Sequence, residues 1–281
     1  PAKPAGKRGA GDTLRILYWQ APTILNAHLA SGTKDFDASR LILEPLAAIG
    51  PDGSPVPTLA AEIPTLANGG IAKDQTSITW KLKKDVKWSD GTPFTADDVV
   101  FTYNYCANKE TGCSTASAFA GLKSVEAVDA STVKITFDKP SAAPYRTFVS
   151  TQGYILQKKQ FEACLGAAAP TCTDANNMPV GTGPFKVTGF TVNDTVSMAA
   201  NENYRDPAFV ALTRRCICVG ASVFRHNAVD HDADGHRIEC PRFPGCTCSE
   251  HILIEPELFN RFFSGTRNAP RHVGVSRDGK I

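Results

Sequence analysis

The sequence predicts a mixed helix-and-strand fold of more than one domain, and three observations carry that prediction. At 281 residues the chain is long for a single hydrophobic core and long enough to bury two. Residues 78–83, ITWKLK, alternate, with Ile78, Trp80 and Leu82 on one side and Thr79, Lys81 and Lys83 on the other, the period of a half-buried strand. The chain then passes a turn at Ser89-Asp90-Gly91 and enters a helix that begins at Thr95. In that turn Asp90 can bond the backbone two residues on, and Gly91 tolerates a positive φ. The Thr95 hydroxyl is placed to cap the helix, Asp97 and Asp98 complement its dipole, and Val99, Phe101 and Tyr103 supply packing bulk.

Bulk properties remove several function classes. A formal net charge of +2, with no basic stripe, argues against a nucleic-acid partner. No apolar run reaches the roughly 18 residues that a membrane span needs. The first residue is Pro1 and the opening, PAKPAGKRGAGD, is polar. Residues 1–12 are therefore expected to be a flexible leader at a mature or trimmed N-terminus, with any signal peptide or lipid-bearing cysteine upstream.

The remaining elements follow in chain order. Residues 13–19, TLRILYW, read as an apolar strand that enters a loop carrying Gln20, Thr23, Asn26 and His28, and loops after strands are where open α/β sheets place ligands. A helix is expected over 39–46, followed by a turn and a Pro-studded connection, PDGSPVPTLAAEIP. Glu44 and Glu62 are candidates for a catalytic carboxylate pair only if the fold brings them together, and bracing or solvated roles are the simpler expectation. SVEAV and TVKITF read as a hairpin around Asp129-Ala130-Ser131, and a helical stretch is expected near 145–149. In PVGTGPFK, residues 179–186, Gly181 and Gly183 are expected to permit a sharp turn ahead of strands over 185–200. A phosphate loop is excluded, because no Lys-Ser/Thr pair follows and the next residues are strand-like.

Two of these stretches also carry a family resemblance. KWSDGTPFTADDV, residues 87–99, and GTGPF, residues 181–185, resemble hallmarks of the solute-binding proteins of ABC importers in the peptide/nickel class, the oligopeptide- and dipeptide-binding proteins. YWQAPTILNAHLASG and NENYRDP are similar to further family segments, whereas Gln157-Lys158-Lys159 replaces the family's Pro-Lys-His element. The resemblance covers 13–208. It implies an α/β, two-lobed, periplasmic-binding-protein-like (type II) fold, truncated, with 13–45 in the first lobe, 46–150 as an inserted second lobe and 151–208 returning to the first. It also implies a non-enzymatic, cofactor-free and metal-free monomer outside the membrane that captures a peptide or similar small solute and delivers it to ABC permease subunits. Trp19, Gln20, Thr23 and Asn26 would line the cleft. Because much of the opposite wall would lie beyond the resemblance, weak solute binding is expected of these residues alone.

An extracytoplasmic setting bears on the nine cysteines. Cys106 and Cys113 flank one short loop, and Cys164 and Cys172 flank another, so each pair is placed to close a local disulfide where such bonds persist. Four unpaired thiols are the alternative, and spacing does not fix connectivity.

Beyond residue 208 the character of the chain changes. Residues 1–208 hold 15 Lys and 5 Arg, whereas 209–281 hold 1 Lys and 9 Arg, together with five of the six histidines and five of the nine cysteines. An out-of-frame or foreign segment is the expected explanation. Two metal readings compete with it. Cys216, Cys218, His226, His231, His236, Cys240, Cys246 and Cys248 are zinc-ligand types at spacings tighter or wider than structural sites use. Asp230, Asp232, Asp234 and Gly235 open like a calcium loop but end on Pro241 instead of Glu. A Cys–His hydrolase ranks last, since His28 is the one histidine before the tail.

Overall fold

The computed structural model describes residues 13–206 and the strand Cys216–Ala221. The zinc and calcium candidates of the tail lie outside the described residues, except Cys216 and Cys218, which are backbone positions of that strand.

Three sheets form. The largest has the order β1-β9-β8-β7, built from β1 (Thr13–Tyr18), β7 (Phe185–Phe190), β8 (Thr195–Ala200) and β9 (Cys216–Ala221). β1 and β9 run parallel from Thr13 opposite Cys216 to Tyr18 opposite Ala221, and the other pairs are antiparallel. A second sheet has the order β4-β6-β5, from β4 (Ser77–Lys81), β5 (Leu122–Asp129) and β6 (Thr132–Phe137). The third is a small pair, β2 (Ala47–Ile49) with β3 (Pro55–Pro57).

The period-two reading holds residue by residue. Ile78, Trp80 and Leu82 are buried, with Ile78 opposite Ile135 and Trp80 opposite Val133 on β6, where Val133, Ile135 and Phe137 are buried in turn. Against this sheet packs α2 (Ala96–Ala107), burying Val99, Phe101 and Tyr105 while Tyr103 stays half-buried. One continuous apolar core runs from Leu25 and Leu41–Leu43 through Trp80, Trp88 and Tyr105 to Phe161, Phe185 and Met198. Its burial is the main stabilising term.

Three local expectations need correction. The helix placed over 39–46 is displaced: α1 spans Thr33–Ser39, after which Leu41 and Ile42 direct their carbonyls at Phe185 and Gly183 (3.2 and 2.8 Å). Those bonds, and Pro45, which cannot continue a helix, take the apolar LIL run out of helical geometry while leaving it buried. Near 145–149 the chain makes only 3-10 turns, Pro144–Arg146 and Ser150–Gly153.

The glycines of 181–185 also act differently from expectation. Neither has a positive φ. A Cβ on Gly181 would lie 2.0 Å from the Ile42 carbonyl oxygen, and one on Gly183 would lie 2.6 Å from it. They are required for close backbone approach rather than for a left-handed turn.

Candidate functional site

The 87–99 motif is a junction. Gly91 has φ +84, and Asp90 accepts from the Thr92 amide at 3.0 Å and its hydroxyl at 2.6 Å. Asp98 is buried and accepts from Thr95 N (3.0 Å), Trp88 Nε1 (3.3 Å) and Lys158 N (2.9 Å). Burial pushes its carboxyl above the usual range, and those three donors oppose the shift. At Asp90, partial burial works against the charge, but Thr92, Gln157 and Lys159 outweigh it and hold the carboxyl down at about 2. Gln157, Lys158 and Lys159 are therefore the partners of the motif: Gln157 Nε2 donates to Asp90 (3.2 Å) and to the Thr92 hydroxyl (2.9 Å), and Lys159 Nζ to Asp90 (3.3 Å). The Gly181 carbonyl accepts from Ser89 N at 2.8 Å. Nearly every polar group in this region is satisfied internally, which suits scaffolding and leaves little for a ligand.

The loop after β1 is built differently. It leaves the carboxyl end of a strand paired in parallel with β9, a position where open sheets form ligand crevices. Trp19 is 69% exposed, Gln20 and Thr23 are exposed, and Trp19 lies 6.0 Å from the Tyr18 ring. Thr23 is anchored from below: its amide donates to Asp35 Oδ1 (2.7 Å), and Lys34 Nζ donates to its hydroxyl (2.8 Å) and to Asp35 (2.7 Å). Tyr18 donates its hydroxyl to Asp37, and burial first, then that carboxylate, pushes the phenol up to about 12.

Asn26 is fully buried and faces inward. Its amide nitrogen donates to Tyr105 (3.1 Å) and Asn176 Oδ1 (2.8 Å), and its oxygen accepts from His28 N (3.1 Å). It braces the loop that Trp19, Gln20 and Thr23 expose.

Two cystines adjoin the residues that hold residues 25–28 of this loop. Cys106 and Cys113 are joined, with Cα atoms 5.1 Å apart, and Cys164 and Cys172 are joined, with Cα atoms 5.8 Å apart. Directly after Cys172, α3 (Thr173–Asn177) presents the Asn176 carbonyl to the amides of Leu25 and Asn26 at 3.0 and 2.8 Å. After Cys113, Ser114 donates its amide and hydroxyl to the His28 carbonyl (2.7 and 3.0 Å). His28 Nε2 donates to the Tyr154 carbonyl (2.7 Å), which leaves Nδ1 to accept from the Thr115 hydroxyl (2.6 Å). Burial pushes the imidazole down to about 4, against the Tyr154 bond. Sequence reading missed this floor, although a lone histidine ahead of two short Cys-bounded loops was its visible trace.

Among the described residues, neither the Cys–His nor the Glu44–Glu62 pairing forms a reactive site. His28 does meet Cys106 and Cys113, but in a buried site where the sulfurs are bonded to each other. Glu44 forms a bidentate pair with Arg205 (2.6 and 2.7 Å), and Glu62 pairs with Lys81 at the surface (3.1 Å).

A scaffold junction carrying these motifs, an exposed strand-end loop and this sheet order define a type II binding-protein fold. Residues 54–217 match the family described as bacterial extracellular solute-binding proteins, family 5 Middle, and the chain belongs to that family, which is one of solute-binding proteins and not of enzymes. The match passes residue 208, in keeping with β9. Similar proteins include one from Brucella ovis named for ABC-transporter peptide binding, 35% identical over 139 residues, which are 48% of this chain and 25% of that one. A structure of Listeria monocytogenes OppA bound to peptide is similar with TM-score 0.64 and 23% identity, over 76% of this chain and 43% of that one. Campylobacter jejuni NikZ in complex with Ni(L-His) gives TM-score 0.62 and 27% identity, over 75% and 39%. The chain thus spans well under half the length of these relatives. Among the described residues no helix is long and apolar enough to cross a membrane.

Proposed function

We propose that the chain is part of the solute-binding component of an ABC importer, capturing peptides or similar small solutes outside the membrane and delivering them to permease subunits. The observation that carries this reading is the family match over 54–217, which runs through the Trp88–Asp98 junction and Gly181–Phe185. Trp19, Gln20 and Thr23 line the solute cleft in this reading, and Asn26 sets their position from beneath. A ligand that touches both walls only when they close would shift such a protein toward its closed state.

The division into 13–45, 46–150 and 151–208 is proposed on the same footing. It is supported by the separation of the β4-β6-β5 sheet from the β1-β9-β8-β7 sheet. A monomer with both cystines formed in an oxidising compartment completes the proposal; sedimentation, and thiol titration before and after reduction, test those two parts.

Isothermal titration with a mixed tri- to pentapeptide library, and in parallel with a nickel–histidine chelate, tests the solute. These 281 residues are expected to bind weakly, with saturation that Trp19→Ala abolishes. Binding that survives both Trp19→Ala and Gln20→Ala would remove this loop from the site.

A further inference from the structure

The Cys106–Cys113 cystine sits in surroundings that resemble a ligand shell more than an apolar core. His28 and Cys106 are buried and Cys113 is partly so, and one imidazole nitrogen and the two sulfurs lie within 4.8 Å of one another. Ligands sharing one ion at thiolate and imidazole bond lengths stand about 3.5–4 Å apart, so coordination requires the bonded sulfurs to separate and the Thr115 hydroxyl to yield the centre. The imidazole is already oriented. Its Nε2–H is held by the Tyr154 carbonyl at 2.7 Å, so the Nδ1 lone pair points toward Thr115 and the sulfurs. That carbonyl contact is the outer-shell bond that metal-ligating histidines characteristically make. Thr115 Oγ1 touches all three groups, at 2.6 Å from Nδ1, 3.2 Å from Cys113 Sγ and 3.7 Å from Cys106 Sγ, and so occupies the middle of the cluster.

We propose that the juxtaposition of His28, Cys106 and Cys113 beside the strand-end loop is a redox-gated site for a thiophilic d10 cation, Cu(I) or Zn(II). In the oxidised chain the sulfurs are spent on each other. An external dithiol opens the site: two electrons and two protons pass to the cystine, its S–S bond breaks, and the dithiol closes to its own disulfide. The ion then displaces the two thiol protons, and both thiolates and His28 Nδ1 become its ligands. Two thiolates and one imidazole in a buried setting favour a soft, low-coordinate ion, and Thr115 is the available oxygen should zinc complete four ligands. Because Ser114 and His28 tie this cluster to the loop, loading it changes the footing of Trp19 and Thr23.

The test uses the full chain carrying Cys216→Ser, Cys218→Ser, Cys240→Ser, Cys246→Ser and Cys248→Ser, reduced with a water-soluble phosphine, which takes its oxygen from water and is removed by anaerobic gel filtration before any ion is offered, because phosphines bind Cu(I). Cu(I) is offered from a coloured bis-chelate complex, and Co(II) is offered separately as the spectroscopic substitute for zinc. The expected result is one ion withdrawn per reduced chain and none by the oxidised chain, with Cys164→Ser/Cys172→Ser unchanged. Cys106→Ser/Cys113→Ser should take up none, and His28→Ala should bind at least about tenfold more weakly. A thiolate-to-cobalt charge-transfer band identifies the divalent ion as the occupant, and withdrawal of copper alone identifies Cu(I). Uptake of neither ion overturns the proposal. So does equal uptake by Cys106→Ser/Cys113→Ser, binding by the oxidised chain, or a loss of far-ultraviolet circular dichroism on reduction that the ion does not reverse.

Discussion

The junction at 87–99 and the loop at 19–28 differ in how their polar groups are used. In the junction, Asp90, Asp98, Gln157 and Gly181 are bonded to one another or to backbone, and its aromatic anchor Trp88 is buried. In the loop, the polar contacts are made below the surface by Asp35, Asn176 and Ser114, and the tip keeps Trp19 and Gln20 exposed. The stretch that identifies the family is thus its frame, and the stretch that can meet a solute is plainer in sequence. Satisfied groups rigidify and unsatisfied ones recognise.

The comparison can be broken most severely at the frame. Gly181→Ala puts a methyl 2.0 Å from the Ile42 carbonyl, and since that oxygen belongs to backbone, a destabilisation of about 4 kcal/mol or outright failure to fold is expected in urea denaturation. A cost near zero would mean that the two segments are not in this close contact.

Acidification probes the floor that joins the two regions. The His28 imidazole is lowered to about 4 in the folded chain from an unfolded value near 6.5. Between those values the unfolded chain binds more protons, so its contribution is fully present above 6.5, falls with pH through that window and is lost below about 4. The loss amounts to about 3 kcal/mol. Urea midpoints measured from pH 7 to pH 4 should fall accordingly, and the slope should flatten in His28→Gln.

A smaller effect is expected at Asp98→Ala. It strands the Thr95 and Lys158 amides and Trp88 Nε1, at about 2 kcal/mol for buried donors left unpaired. The relief of a buried carboxylate whose pKa is raised offsets part of that cost. The smallest stability change belongs to Trp19→Ala, within about 0.5 kcal/mol because the ring is exposed, with its consequence appearing in solute titration instead. A large stability loss there would make Trp19 a part of the frame.

What was legible in the sequence follows the same division. Alternation at Ile78–Leu82 and Val133–Phe137 was readable because period two depends only on the chain's own neighbours, and the Thr95 helix start because its signal is local. The helix at 39–46 was misplaced because its LIL run satisfies long-range backbone partners at Gly183 and Phe185, which local pattern does not encode. Asn26 is expected at the cleft from its loop position but turns inward, because its partners are 79 and 150 residues away in the sequence. The replacement of Pro-Lys-His by Gln157-Lys158-Lys159 looked like a loss of pattern, yet those residues bind the motif itself. Only the structure could show that both cystines adjoin the residues that hold residues 25–28 of the strand-end loop.

The bonding of Ile42 to Gly183 and of Glu44 to Arg205 has a consequence for the order of events during synthesis. A chain made from its N-terminus exposes Leu41, Ile42, Leu43 and Glu44 about 140 to 160 residues before their partners exist. The cystine loops, by contrast, close over 7 and 8 residues and can form as soon as they emerge. Local closure therefore comes early and the long-range clasp comes last, as contacts of high sequence separation require. Until Gly183 and Phe185 emerge, the carbonyls of the apolar LIL segment lack the backbone partners that hold it in place.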